Sequence, residues 1–258
     1  MRASGPTEAG AMDGGGDARP WFSFFTTSES GLLSLAPDSE RGFGGDLGGL
    51  AGADAICTRL ARQSNAGDAK TWHAFLSTAG LADDPRVDAI DRVGEGPWFD
   101  FNGRLLANDL PGLLSRDDDG RPDGDPELVE MFSDEYGEPI RSGDFDDNHD
   151  VLTGSDREGK LFDDGADGKL ATCGDWRDAT LHGKVSDDTG LGGQIPVGHS
   201  WPRTMQSGRE WISDHTINGC EPGVDTFGAG AELPSNFSVG GGGGYGAIYC
   251  FALGASPP

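Results

Sequence analysis

Apolar positions recur along this chain with two different periods, and the switches between them mark its elements. The run "WFSFFTTS" (Trp21–Ser28) is aromatic and β-branched between polar flanks, which predicts an opening strand. From Leu50 the period lengthens. Leu50, Ala53, Ile56, Cys57 and Leu60 recur at helical spacing until Asn65-Ala66-Gly67 breaks the pattern, so Cys57 faces inward from an amphipathic helix. "TWHAFLST" (Thr71–Thr78) reads as a second strand, and "DAIDRVGEGPWFDFNGRLLAN" as a short helix followed by a hairpin-like segment around Asn102-Gly103.

Between about 109 and 168 the periodicity fades into acidic, glycine-rich turns such as "SRDDDGRPDGDPE" and "RSGDFDDNHD", with regular structure returning only at "DVLTGS". After Cys173 come short strand-like pieces, "GQIPVGHSWPR" and "REWISDHTINGCEPG" among them, and then "VGGGGGYGAIYCFAL". Its five glycines lead into an apolar strand carrying Cys250. A backbone without Cβ atoms can turn where a side chain would clash; the alternative is an anion-facing nest of N–H groups at Gly240–Gly244. No internal repeat is visible. The order predicts one loop-dominated α+β domain over 21–254, with an acidic insert at 109–168 and residues 1–20 as a flexible leader outside the fold.

Charge narrows the partners. With 44 acidic against 19 basic residues the formal net charge is −25, which repels nucleic acid and anionic membrane surfaces and suits cations or basic protein patches. No apolar run approaches the ~18 residues that span a bilayer, and the first residues contain no signal-peptide core. Four cysteines at wide spacing, without a CxxC, point to two disulfides and an oxidising compartment, secreted or at the cell surface; three pairings are open.

Several of these pieces together, "AGADAIC", "TWHAFLS", "DVLTGSDREGK" before "CGDW", "GHSW", "REWISDHTINGC" and "YGAIYCF", resemble the bacterial endostatin-like branch of the C-type-lectin-like fold. That branch includes the leptospiral endostatin-like surface proteins. The resemblance covers Trp21 to Leu253. It implies small antiparallel sheets, one or two helices and two nested bridges, Cys57–Cys250 outside Cys173–Cys220. By chain-entropy estimates such crosslinks are worth about 4–5 kcal/mol each as an upper figure. It also implies a binding or adhesion module whose partners are extracellular proteins or glycans, or alternatively a self-assembling envelope or filament subunit.

Candidate chemistry follows from residue types. The chain has no GxSxG elbow and no HExxH, and with all four cysteines assigned to bridges no enzyme is expected. His73, in an apolar strand, is expected to be structural. Oxygen donors at two-residue intervals suit calcium. Asp144, Asp146, Asn148 and Asp150, completed by Asp156, form a loose candidate calcium site, although His149 and Ser155 stand where an EF-hand loop needs Gly and Glu. Asp117–Asp125 is a second acidic candidate. The sugar-coordinating triplet of calcium-dependent lectins is missing, because "CEPG" follows the third cysteine and carries glycine at the amide position. For ligand contact the candidates are Trp201, Arg203, Arg209 and His215; Trp211 is expected in the core.

Overall fold

A computed structural model describes residues 19–66, 68–81, 85–115, 120–141, 146–183, 194–203, 208–226, 237–254 and 256–258. Its strands are β1 (Phe24–Thr26), β2 (Trp72–Ala74), β3 (Thr78–Ala79), β4 (Arg86–Val87), β5 (Trp98–Phe99), β6 (Leu105–Ala107), β7 (Asp150–Leu152), β8 (Ile195–His199), β9 (His215–Ile217) and β10 (Gly244–Ala252). The helices are α1 (Glu29–Leu35), α2 (Gly49–Ser64), α3 (Leu110–Leu113) and α4 (Pro126–Glu130). The chain is therefore α+β, with few helices, small sheets and long connections, as the sequence pattern predicts.

All nine residues of β10 are buried, and the main sheet is assembled on it. Its C-terminal half pairs antiparallel with β1 (Phe25 opposite Cys250) on one side and with β2 (Ala74 opposite Cys250) on the other. Its N-terminal half pairs with β7 in parallel, and β7, β8 and β9 continue the sheet antiparallel. The main sheet is thus mixed, where small antiparallel sheets were expected; only β3–β4 and β5–β6 form separate two-stranded antiparallel ribbons. A second difference concerns the stretch 109–168. Besides the strand expected at "DVLTGS", which is β7, it contains α3 and α4, and its Leu113, Leu128, Phe132, Val151 and Leu152 are buried in the common core.

Helix α2 buries Leu50, Ala53, Ile56, Cys57, Leu60 and Ala61, the face that its spacing predicts. Its outward Asp54 still fixes the helix to the sheet, accepting from the Ala74 N–H at 2.9 Å and pairing with Arg92 at 2.7 Å. The core is aromatic: Phe24, Phe75, Trp98 and Trp211 pack on Phe251 with ring centroids 5.1–6.3 Å apart. Trp211 is core, as expected. His73 is half-buried, its Nδ1 2.7 Å from the Arg92 carbonyl.

Both bridges have the nested order implied by the resemblance. Cys57–Cys250 ties α2 to β10, and Cys173–Cys220 lies inside that span. Cys173–Trp176 winds as a left-handed turn with φ between 47° and 63°. A left-handed turn is unfavourable for L-residues. Side-chain anchors hold it: the Trp176 indole donates to the Ser77 carbonyl at 2.8 Å, and Asp175 accepts from the Ala79 N–H at 2.7 Å.

Sequence separations of 193 and 47 set the entropic value of the two bridges at about 5 and about 4 kcal/mol respectively, ignoring strain. Replacing Cys57 and Cys250 by alanine is therefore expected to lower the denaturant midpoint more than replacing Cys173 and Cys220. Equal midpoints for the two double variants would contradict the chain-entropy account.

Candidate metal centre

The sheet register gathers residues that are far apart in sequence. Asp150 opens β7 and stands directly opposite His199, the last residue of β8. His215 opens β9 opposite Val197, one diagonal step from His199 on the same face of the sheet. His149 immediately precedes β7. One potential ligand atom from each of His149, Asp150, His199 and His215 falls within 4.8 Å of every other.

The geometry centres on one oxygen. Asp150 Oδ1 lies 3.2 Å from His149 Nε2, 3.5 Å from His199 Nε2 and 3.5 Å from His215 Nε2. The Nδ1 atoms face acceptors. His199 Nδ1 is 2.7 Å from the Gly208 carbonyl, His149 Nδ1 is 2.9 Å from Asp147 Oδ1, and His215 Nδ1 is 3.7 Å from Asp214 Oδ2. His215 Nδ1 also approaches His199 Nε2 at 3.1 Å. His149, Asp150 and His199 are buried, while the His215 side chain keeps 34% of its surface. Both ring nitrogens of His149 and both oxygens of Asp150 are buried without a well-aligned hydrogen bond among the described residues, despite these short separations. Buried polar atoms left in that state are costly unless something further satisfies them.

Neighbouring groups hold the frame. Arg121 is fully buried and, among the described residues, donates to carbonyls, those of His199 at 2.6 Å and Ser200 at 3.1 Å included, and burial pushes its guanidinium down to about 10. Arg203 lies 3.8 Å from Asp147, behind His149. The glycine run covers the cluster. A Cβ on Gly242 would stand 2.2 Å from Asp150 Oδ2 and 3.1 Å from His215 Nε2, and one on Gly243 would meet His149 Cε1 at 2.6 Å. Gly243 also has φ +110°, and its carbonyl accepts from the Asp150 N–H at 3.0 Å. Gly242, Gly243 and Gly244 let bare backbone lie flat on charged side chains.

Burial works against a charge on Asp150, yet its contacts with His199 and His215 and the charge on His149 outweigh it and hold the carboxyl well below its ordinary range. For His215 burial likewise opposes charge, but Asp150 and Asp214 prevail and push it up to about 10.

The residues expected to bind calcium part company. Asp150 faces the histidines. Asp146 and Asn148 line a cavity of about 500 Å³ with Glu29, Asp134 and Glu138, and the Asn148 amide is engaged by the Ile140 carbonyl at 2.7 Å and the Trp201 indole at 3.0 Å. Asp156 closes its own turn through the N–H groups of Glu158 and Lys160. Asp144 lies outside the described residues, as do Asp117–Asp119 of the second candidate; there Asp125 caps α4. Among the expected ligand contacts, His215 and Arg203 belong to the cluster or its rim. Trp201 is buried under Arg141 and beside His149, 5.4 Å between ring centroids, and Arg209 pairs with Glu130 at 2.9 Å. His149 and His199 escape sequence reasoning because 50 residues of irregular spacing separate them and no metal motif links them. The only signal is that "NHD", "GHS" and "DHT" each sit at a strand end.

Three imidazole nitrogens and one carboxylate oxygen are a donor set for zinc-type ions, whereas calcium takes oxygens. No protein-family model matches the chain, and a search of curated proteins finds no significant relative.

Two expectations follow. Gly242→Ala, at a position free of backbone strain but without space, should destabilise the protein by about 1–3 kcal/mol in denaturant titration, with exposed Gly241→Ala nearly neutral. Without a bound ion, the stabilisation from His215 is complete below its unfolded value of 6.5 and is lost as pH rises through about 10. That from Asp150 is present above 3.8 and fades as pH falls below that value. In an NMR titration of metal-free protein His215 should remain protonated at about pH 8; a neutral ring there would contradict the arrangement.

Proposed function

We propose that this protein is an extracellular or cell-surface binding module of C-type-lectin-like fold, built around a zinc-type metal ion held by His149, Asp150, His199 and His215. The observation that carries the metal reading is the set of three Nε2 atoms at 3.2, 3.5 and 3.5 Å from one buried carboxylate oxygen. At bond lengths of about 2.0–2.1 Å the edges of a tetrahedral site measure about 3.3 Å, so these donors already stand close to ligand spacing. Ligating histidines usually offer their second ring nitrogen to a carboxylate or carbonyl, and here Asp147 and the Gly208 carbonyl occupy those places behind His149 and His199. Two disulfides support export to an oxidising compartment.

In this reading the ion crosslinks the ends of β7, β8 and β9. Binding of proteins or glycans then falls to the surface that this framework holds in place, without catalysis. Protein isolated without chelator should carry one equivalent of zinc-type metal by elemental analysis. Exhaustive chelation should lower the melting temperature, and saturating Zn²⁺ at 1,000-fold over Kd should restore about 4 kcal/mol. His199→Ala and Asp150→Asn should lose the metal. Absence of binding to Zn²⁺, Co²⁺ or Ni²⁺ at micromolar levels, together with a melting point indifferent to chelator, would refute the proposal.

A further inference from the structure

An ion held by this cluster needs a route to donors that are mostly sealed. The following rests on the metal reading above. His149, Asp150 and His199 are 0–2% exposed, so of the four donors only His215 meets solvent. It does so in the wall of a cavity of about 560 Å³ that also includes Asp156, Arg157, Glu158, Ser213, Asp214 and Thr216, the Arg157 guanidinium standing 3.7 Å from Glu210. Asp214 belongs to both places. Its carboxylate lines this cavity, keeps 16% of its side-chain surface, and stands 3.7 Å from His215 Nδ1 and 3.7 Å from His199 Nε2. On the other side the Gly242–Gly243 backbone covers the cluster, and the one carboxylate described there, Asp147, is already engaged by His149 Nδ1 at 2.9 Å and faces Arg203 at 3.8 Å.

We infer that the Asp156–Thr216 cavity is the ion's way in and out, and that Asp214 is a transit ligand that controls the rate of exchange. A hydrated divalent cation, drawn by the protein's net charge of −25, passes the exposed Glu158 and meets the Asp214 carboxylate before the buried donors. It exchanges water for that oxygen, moves on to the Nε2 atoms of His215 and His199, and settles against Asp150 and His149. The site is therefore one that acquires and releases metal under control, where a fully enclosed one would hold it permanently.

Stopped-flow uptake of Co²⁺ by the metal-free protein, followed by its visible absorption, and release chased with excess Zn²⁺ test this. Asp214→Asn keeps an oxygen for His215 but loses the charge. It should slow uptake and release together by roughly tenfold or more, the scale of local electrostatic effects on ion capture, so that Kd moves far less than either rate. Thr216→Trp fills the cavity from the edge strand, leaves every donor in place, and should slow both rates without weakening equilibrium binding. Unchanged rates in both variants, or an Asp214→Asn effect confined to Kd, would overturn the transit role while leaving the metal centre standing. A native protein that binds no Co²⁺ at equilibrium would remove the centre itself.

Discussion

The constraint on which the structure depends is that a single strand, β10, must satisfy its backbone while buried along its whole length. Buried N–H and C=O groups have to find partners, and β10 finds them on both sides: β1 and β2 along one half, β7 along the other. The register shift between Gly244 and Ala247 marks where one set of neighbours gives way to the next. Gly246, with φ +77° and Val239 against it, makes that irregularity affordable in a place where a side chain would not fit.

The two ends of this strand are secured by different chemistry. Near its finish Cys250 is covalently joined to α2, inside an aromatic core that excludes water. Before its start, the glycine run lies on a charged cluster in which a carboxylate with no aligned partner faces three imidazoles. The first end is held by area and a bond. The second is held by electrostatics at low dielectric, where small changes in donor position have large consequences. Arg121 belongs to that second end, since its carbonyl contacts fix the backbone that carries His199 and Ser200.

The framework was legible in the sequence wherever a local period reports burial. α2 was visible from Leu50 to Leu60, β1 and β2 from their apolar, aromatic runs, and β10 from the apolar run around Cys250. The bridge order came through resemblance, since cysteine spacing alone leaves three pairings. What stayed hidden depends on register between strands. Asp150 is central because it faces His199 across a ladder, and nothing in "DFDDNHD" distinguishes it from its acidic neighbours. His215 was picked out as a ligand contact, but its role depends on Val197, eighteen residues earlier, pairing opposite it. The parallel pairing of β7 with β10 was equally invisible, since it joins segments about a hundred residues apart.

The position of β10 late in the chain has a consequence for how the molecule comes into being. Phe24, Phe25 and Thr26 pair with residues 249–251, so the first strand has no sheet to join until nearly all the chain is available. Contacts of such long sequence separation form slowly and leave apolar surface uncovered in the meantime. During synthesis the aromatic segment around Phe24 must therefore wait for residues 249–251, open to chaperones and to wrong partners, and closure comes late.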